Sequence, residues 1–244
     1  MSVLLVTGAS SGIGAATAIE FADAGWEVMA AGRDESRLEE VAEVSDNIST
    51  WAGELAESAD CDELLADTIE EFGQLDCLVN AAGVLIRGSA DELSDDDWRD
   101  TFGINLDVPF FLSRAALPPL LETAGSIANI ASIWGLRSGG GVAAYCASKG
   151  GLIMLTRAMA RDHAGDGLRV NAICPGGVDT PMLAAGADNA DMDADEFLRM
   201  VADKSPNGRI ATPEDVAALI LFLAGDSARH INGAILSIDG GLTA

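Results

Sequence analysis

The chain has 244 residues, of which 49% are hydrophobic, and its formal net charge is −25. This length and apolar fraction are sufficient for one large α/β domain with a continuous core. The negative charge would repel a phosphate backbone, no apolar run reaches the roughly 18 residues of a membrane span, and no signal peptide is recognisable. We therefore expect a soluble cytoplasmic protein that binds neither nucleic acid nor membrane.

The cysteines and the basic residues indicate the redox state and the ionic strength of the protein's surroundings. The four cysteines are scattered, without a C-x-x-C pair or a histidine at metal-ligand spacing, so we expect reduced thiols and no metal site. The basic residues are twelve arginines and two lysines. Such an acidic, lysine-poor surface suits a salt-rich, halophilic cytoplasm, in which charges are screened, and it also fits an ordinary acidic protein.

Short apolar runs alternate with helical patterns along the whole chain. Strands are expected at 3–8, 26–33, 48–53, 75–83, 125–132, 168–177 and 234–241. Helical spacing is clearest at 12–25, 34–44, 60–73, 94–121 and 142–163. Strands that are apolar throughout and alternate with helices predict one doubly wound α/β domain over 1–244, with a seven-stranded parallel sheet covered by helices on both faces.

The segment 176–212 lacks a clear strand and is rich in Gly, Ala and Asp. It follows a strand end, which is where open α/β sheets place their ligands. We expect a substrate-binding lid within the domain, and an inert insertion is the alternative.

The first strand runs into the glycine-rich stretch TGASSGIG at 7–14. Its letters include G-x-S-x-G, the serine hydrolase elbow, which needs an earlier strand for its oxyanion hole and a histidine partner. Here no strand comes before, and His163 and His230 lie in polar surroundings. Between a strand and a helix, the stretch instead predicts a Rossmann-type dinucleotide turn with the phosphates at the helix N-terminus.

Tyr145 is the only tyrosine, and Lys149, one of the two lysines, follows it by four residues. This spacing places both side chains on one helix face. An ammonium beside a phenol favours the phenolate, so we expect Lys149 to lower the pKa of Tyr145 and to make it a general acid/base. Ser132, at the end of a predicted strand, can donate a hydrogen bond to the same substrate oxygen.

Five motifs in order make the chain similar to the classical short-chain dehydrogenase/reductase family. TGASSGIG is followed by NAAG at 80–83, Asn105 in GIN, Ser132 in NIAS and YCASK at 145–149, which completes the five. The segment CPGGVDTPM then follows at 174–182. The resemblance covers essentially the whole chain. It implies an oxidoreductase that interconverts a secondary alcohol and a ketone by hydride transfer, and a homotetramer formed through the long helices and the C-terminal strand.

The resemblance also implies roles for individual residues. Lys149 would hold the nicotinamide ribose, and Asn105 would fix a relay water, so that the catalytic set is Asn105, Ser132, Tyr145 and Lys149. The expected cofactor contacts are Gly8, Ser10, Ser11, Gly12, Ile13, Gly14, Arg33, Glu54, Leu55, Asn80, Ala81, Gly83, Tyr145, Lys149, Pro175, Gly176, Val178 and Thr180. Candidates for the substrate pocket are Ile133, Trp134, Gly177, Met182 and Leu183.

The end of the second strand bears on the choice of dinucleotide. An acid there would bind the ribose 2′-hydroxyl of NAD, whereas this chain has Gly32 followed by Arg33. Because a guanidinium suits a 2′-phosphate and a glycine leaves room for it, we expect NADP(H) to be favoured over NAD(H). The adjoining acids Asp34 and Glu35 weaken this expectation.

Three other functions remain open for the same sequence. A 3-oxoacyl-carrier-protein reductase would need basic docking surface, and little is visible before strands five and six. A dihydrodiol or polyol dehydrogenase is suggested by the stretch that follows NAAG. A non-catalytic NADP-sensing protein is the alternative from another class, although such proteins commonly lose the tyrosine or the lysine that this chain keeps.

Overall fold

The computed structural model describes residues 1–190 and 192–244, and for residues 188–190 it describes the backbone only. Its strands are β1 (Val3–Thr7), β2 (Glu27–Gly32), β3 (Ile48–Ala52), β4 (Cys77–Asn80), β5 (Ser126–Ile130), β6 (Arg169–Pro175) and β7 (Ile235–Ile238). Its helices are α1 (Gly12–Asp23), α2 (Glu35–Ala42), α3 (Ser58–Phe72), α4 (Asp95–Phe102), α5 (Val108–Thr123), α6 (Ala143–Asp162), α7 (Pro181–Ala190), α8 (Ala194–Lys204) and α9 (Pro213–Ala224).

The strands form one parallel sheet in the order β3-β2-β1-β4-β5-β6-β7. The predicted seven-stranded doubly wound sheet is therefore confirmed. The strand order reverses between β1 and β4, so a crevice opens beyond the carboxyl ends of these strands. Both the glycine-rich turn after β1 and the NAAG segment after β4 lie at this point.

Two apolar layers cover the two faces of the sheet. On one face α1 and α9 pack together over residues such as Phe21, Val28 and Ile220, and on the other α3 and α5 enclose Leu5, Leu78 and Leu112. The strand residues among them, Val28, Leu5 and Leu78, are fully buried, which explains why the inner strands are apolar throughout rather than alternating.

The region predicted as one helix over 94–121 is interrupted. A π-helical turn at Gly103–Asp107 joins α4 to α5, and its wider winding lets the chain absorb one extra residue per turn. Asn105 lies in this turn and is fully buried. The departure from one regular helix thus occurs at a predicted catalytic position.

The segment 176–212 contains α7 and α8, of which only the second was recognisable as an amphipathic piece. The two helices pack closely: a Cβ placed on Gly186 of α7 would lie only 2.6 Å from the Phe197 ring of α8. Among the described residues, no helix is both long and apolar enough to cross a membrane.

Candidate active site

The turn after β1 is built without space for side chains. Gly8 has φ +67°, and a Cβ there would lie 2.8 Å from the Ala82 nitrogen. A Cβ at Gly14 would lie 2.3 Å from the Gly8 carbonyl oxygen. These approaches hold the start of α1 close to β1 and β4, as the glycine pattern predicts.

The N-terminus of α1 is left available to an anion. Ser11 is the N-cap residue, but its side chain makes no capping hydrogen bond, and the first turn of α1 contains no acidic residue. The positive end of the helix dipole and the first backbone N–H groups are therefore free for a phosphate. The residues present fit the pyrophosphate of a dinucleotide.

Asp34, two residues after the end of β2, makes its side-chain contacts within α2. Its side chain accepts a hydrogen bond from the Arg37 nitrogen at 3.2 Å, capping α2, and pairs with Arg37 Nε at 3.3 Å. Arg33 is exposed and makes no ion pair with the side chains that the structure describes. The acid is thus committed to the helix, whereas the preceding guanidinium remains available.

Ser132, Tyr145 and Lys149 meet at the carboxyl end of β5. Ser132 lies two residues after the end of that strand, and the other two lie one turn apart on α6. The Lys149 ammonium donates to the Ile130 carbonyl oxygen at 2.7 Å and lies 5.8 Å from the centre of the Tyr145 ring. All three side chains are buried. The structure thus brings together the predicted acid/base, its neighbouring ammonium and the serine donor.

The electrostatics of this group differ from the sequence-based expectation. Burial raises the pKa of Tyr145 to about 12, and the hydrogen bond from Ser132 opposes that rise. Burial also lowers the pKa of Lys149 to about 8. The sequence prediction that Lys149 lowers the pKa of Tyr145 considered charge alone, whereas the loss of water around the buried hydroxyl raises that pKa. Tyr145 is therefore protonated at neutral pH, the state a proton donor needs.

Asn105 is held from several sides. Its Oδ1 accepts from the Val84 nitrogen at 2.9 Å, and its Nδ2 donates to the Val84 carbonyl oxygen at 2.9 Å and to Ser148 Oγ at 3.2 Å. A Cβ at Gly83 would lie 3.2 Å from Asn105 Oδ1 and 3.6 Å from Lys149 Nζ. The asparagine therefore lies just behind the lysine, and its role in a proton relay stays a prediction.

Asn80 belongs to a buried polar chain rather than to the cavity wall. Its Nδ2 donates to Ser113 Oγ at 3.1 Å and to Asn129 Oδ1 at 2.8 Å, and Asn129 Nδ2 donates to Thr156 Oγ1 at 2.9 Å. These contacts join β4, β5, α5 and α6 beneath the site. Asn80 thus positions the elements around the predicted cofactor site from below.

A cavity of about 630 Å³ opens beside this group. Residues predicted for catalysis, cofactor and substrate that line it are Ile13, Ala81, Gly83, Ser132, Ile133, Trp134, Tyr145, Lys149, Pro175, Gly176, Gly177, Val178, Thr180, Met182 and Leu183. The turn residues Gly8, Ser10, Ser11, Gly12 and Gly14, together with Arg33, Glu54, Leu55, Asn80 and Asn105, lie outside its lining. Leu55 is buried in the core, and Glu54 is exposed.

Comparison with known proteins identifies the family. The family model described as "Enoyl-(Acyl carrier protein) reductase" matches residues 8–243. The chain is 40% identical over 244 residues to the meso-2,3-butanediol dehydrogenase of Serratia marcescens, covering 99% of this chain and 94% of that protein. This chain belongs to the classical short-chain dehydrogenase/reductase family.

Two solved structures of similar proteins agree with this assignment. A 3-ketoacyl-(acyl-carrier-protein) reductase from Brucella melitensis, complexed with NADH, matches with a TM-score of 0.92 and 30% identity over 100% of this chain and 98% of that one. A variant of the actinorhodin polyketide ketoreductase with NADPH matches with a TM-score of 0.94 and 32% identity over 99% and 97%. The short-chain dehydrogenase/reductase described here is thus a nicotinamide-dependent oxidoreductase of CH–OH groups.

Several lining residues of this enzyme were not among the sequence candidates. They are Leu85 and Arg87 after β4, Phe197, Met200, Val201 and Lys204 on α8, and Arg209, Ile210 and Leu242 further on. The amphipathic pattern of α8 was a usable signal, because its apolar face covers the cavity. The predicted lid therefore does contribute to the cavity wall, and its closure over substrate stays a prediction.

Proposed function

We propose that the enzyme reduces a ketone to a secondary alcohol with NADPH, and catalyses the reverse reaction, in the cytoplasm. The observation that carries this is the buried group Ser132, Tyr145 and Lys149 in the wall of a cavity that the glycine-rich turn adjoins. The bound nicotinamide supplies or accepts the hydride. The four scattered thiols are free, which agrees with a reducing compartment.

The residues of the chain have separable tasks in this reaction. Tyr145 is protonated at neutral pH and donates its proton to the developing alkoxide. Ser132 lies within reach of the same oxygen and stabilises its charge by a hydrogen bond. Lys149, whose pKa of about 8 lies close to neutrality, provides positive charge beneath the tyrosine. The apolar wall of the cavity excludes water from these groups.

The substrate panel that tests this function contains diacetyl and acetoin, a β-ketoester, a 3-oxoacyl-carrier-protein thioester, a steroid ketone and a cyclic diol. These cover the butanediol and hydroxysteroid substrates that the names of two relatives state, and the polyol alternative. NADPH oxidation with at least one ketone is expected. If NADPH binds and no carbonyl or alcohol is converted, the enzyme is a cofactor sensor instead. Activity confined to acyl-carrier thioesters would favour the carrier-protein reductase.

The preference for NADPH is proposed from Gly32 and Arg33. A charge-assisted hydrogen bond to the 2′-phosphate contributes roughly 1.5–3 kcal/mol, so Arg33→Ala should raise KM for NADPH by about 10- to 100-fold and leave KM for NADH nearly unchanged. Gly32→Asp should shift the preference to NADH, and the nearest neighbours of a Cβ there are the Ser10 and Leu38 side chains, at 3.4 Å or more. Arg229→Ala, which removes an exposed arginine elsewhere, is the matched control. A preference for NADH that survives Arg33→Ala would refute the assignment.

We also propose a homotetramer that is stabilised by salt. Trp98, Phe110 and Met154 on α4, α5 and α6 are 44%, 40% and 59% exposed, which is apolar surface available for association. The net charge of −25 adds repulsion that molar salt would screen. Light scattering in molar KCl should give four times the chain mass. The Trp98→Glu variant should have a smaller mass by the same measurement. The melting temperature of the wild type should rise from low to molar salt. A monomer under both conditions would contradict the tetramer, and unchanged unfolding would contradict the salt dependence.

A further inference from the structure

The charge around the cavity is opposite to the charge of the whole protein. Acidic residues outnumber basic ones 39 to 14 in the sequence. Among the described residues that line the cavity, five are basic, namely Arg87, Arg137, Lys149, Lys204 and Arg209, and two are acidic, namely Asp215 and Asp239. More than a third of all basic residues therefore face this one cavity.

Both acids are already occupied by other groups. Asp215 pairs with Arg209 at 2.6 Å, and its carboxylate accepts a hydrogen bond from the Thr212 nitrogen at 3.0 Å in the capping box of α9. Asp239 accepts hydrogen bonds from the Gly241 and Thr243 nitrogens, at 3.0 and 2.9 Å. Neither carboxylate forms an ion pair with Arg87, Arg137 or Lys204. Among the side chains that the structure describes, these three cations make no ion pair at all.

The three cations come from separate parts of the chain. Arg87 lies after β4, Arg137 lies before α6, and Lys204 ends α8. The first two segments are joined by the Gly88–Gly141 hydrogen bond at 2.9 Å, and Arg137 Nη1 is held by the Leu242 carbonyl oxygen at 3.0 Å. All three are exposed and line the cavity, so they lie at its mouth, where it opens to solvent, whereas Tyr145 and Lys149 are buried in its wall.

The mouth is close to the reacting group. The Arg87 guanidinium lies over the Trp134 ring, 5.9 Å from its centre, and that ring lies edge-on to Tyr145 with the centres 6.0 Å apart. The guanidinium carbon is therefore no farther than about 12 Å from the Tyr145 ring. A short chain can connect a ketone at Tyr145 to an anionic group at the mouth.

We infer that the substrate is a ketone that carries an anionic group, which Arg87, Arg137 and Lys204 bind at the mouth of the cavity. This inference rests on the proposed function and specifies its substrate class. A carboxylate, a phosphonate or phosphate, and a sulfonate share the chemistry that three unpaired cations recognise. The apolar walls accommodate the carbon chain between the two ends, and the local positive charge offsets the repulsion that a chain of net charge −25 exerts on an anion.

The test compares isosteric substrates that differ only in charge. We expect kcat/KM with NADPH to be at least tenfold higher for 4-oxopentanoate than for 4-oxopentanamide, and the ratio to fall as KCl is raised. 3-Oxobutylphosphonate distinguishes a carboxylate site from a phosphate site, since the better of the two anions identifies the group. A ratio near one for both anions would overturn the inference.

Variants of the three cations show whether these residues cause the preference for the acid over the amide. Arg87→Gln, Arg137→Gln and Lys204→Met should each reduce the acid-to-amide ratio about three- to tenfold, because exposed ion pairs are individually weak, and the triple variant should bring it close to one. Arg229→Gln, which removes the same charge outside the cavity, should leave the ratio as in the wild type. An equal change in Arg229→Gln and in the three variants would show that only the overall charge matters, and would also overturn the inference.

A binding measurement separates this inference from the proposed function. Calorimetric titration of 4-oxopentanoate and 4-oxopentanamide into the NADP⁺ complex should show at least tenfold tighter binding of the acid. If neutral ketones are reduced and the acid has no advantage in rate or binding, the proposed function stands and the anionic substrate class is wrong. If no ketone is reduced and the acid still binds selectively, the proposed function is wrong and the anion site is real.

Discussion

Tyr145→Phe is expected to lower kcat for ketone reduction by about 10²- to 10⁴-fold, the usual contribution of a positioned general acid. The variant removes only the hydroxyl oxygen, so the edge-on contact of the ring with Trp134 remains. Because the pKa of this hydroxyl is raised to about 12, the wild-type group is protonated at every pH at which reduction would be assayed. The loss should therefore be similar from pH 6 to pH 8.

The control for Tyr145→Phe is a change at the next residue. Cys146→Ser alters a side chain that does not line the cavity beside the tyrosine, and its activity should be close to that of the wild type. NADPH affinity, measured by quenching of protein fluorescence, should change much less than kcat in Tyr145→Phe. A variant that keeps more than a tenth of the wild-type kcat would exclude Tyr145 as the proton donor.

Lys149→Met is expected to lower activity by at least about 100-fold and to change how stability depends on pH. The Lys149 ammonium has a pKa of about 8 in the folded protein and 10.5 in the unfolded chain. Between these values the unfolded chain binds a proton that the folded protein does not, so the wild-type free energy of unfolding rises from about pH 8 to about pH 10.5. Over this range the rise amounts to about 3 kcal/mol.

Urea unfolding of both ligand-free proteins at pH 7.5 and pH 10.5 measures this effect. Other groups titrate in both proteins, so the difference between wild type and Lys149→Met isolates the lysine. That difference should move in favour of the wild type by about 3 kcal/mol as the pH rises. If the free energies of unfolding of the two proteins change in parallel with pH, burial does not lower the pKa of Lys149 in the folded protein. Methionine has a similar length, so the cavity left behind is small.

The strand pattern predicted the fold well because the five inner strands, β1, β2, β4, β5 and β6, are buried on both faces. Runs such as VLLVTG can only be strands of a parallel sheet or buried helix segments, and the glycine that ends this run argues for the strand. Helix α7 was not predicted, because its Gly, Ala and Asp residues lack a clear apolar stripe. The π-helical turn was also missed, since nothing in GINLD distinguishes it from regular helix.

The catalytic group could be predicted from spacing, whereas its electrostatics could not. Lys149 follows Tyr145 by four positions, and that offset alone places them on one helix face. The direction of the Tyr145 pKa depends on how much water the surrounding elements exclude, which a single sequence does not show. Arg87 and Lys204 at the mouth were missed for a similar reason, because they lie more than 100 residues apart and only the fold brings them to one cavity.

The buried chain from Asn80 through Asn129 to Thr156 has a consequence for engineering this enzyme. Thr156 lies eleven residues after Tyr145 on α6, about 16 Å along the helix axis. Its hydrogen bond with Asn129 therefore fixes the axial position of α6, which carries the proton donor, relative to β5. Replacing the three polar groups by apolar ones of similar volume would keep a compact core but would no longer fix that position. Thermostable variants redesigned at these three residues would then lose turnover while still melting cooperatively.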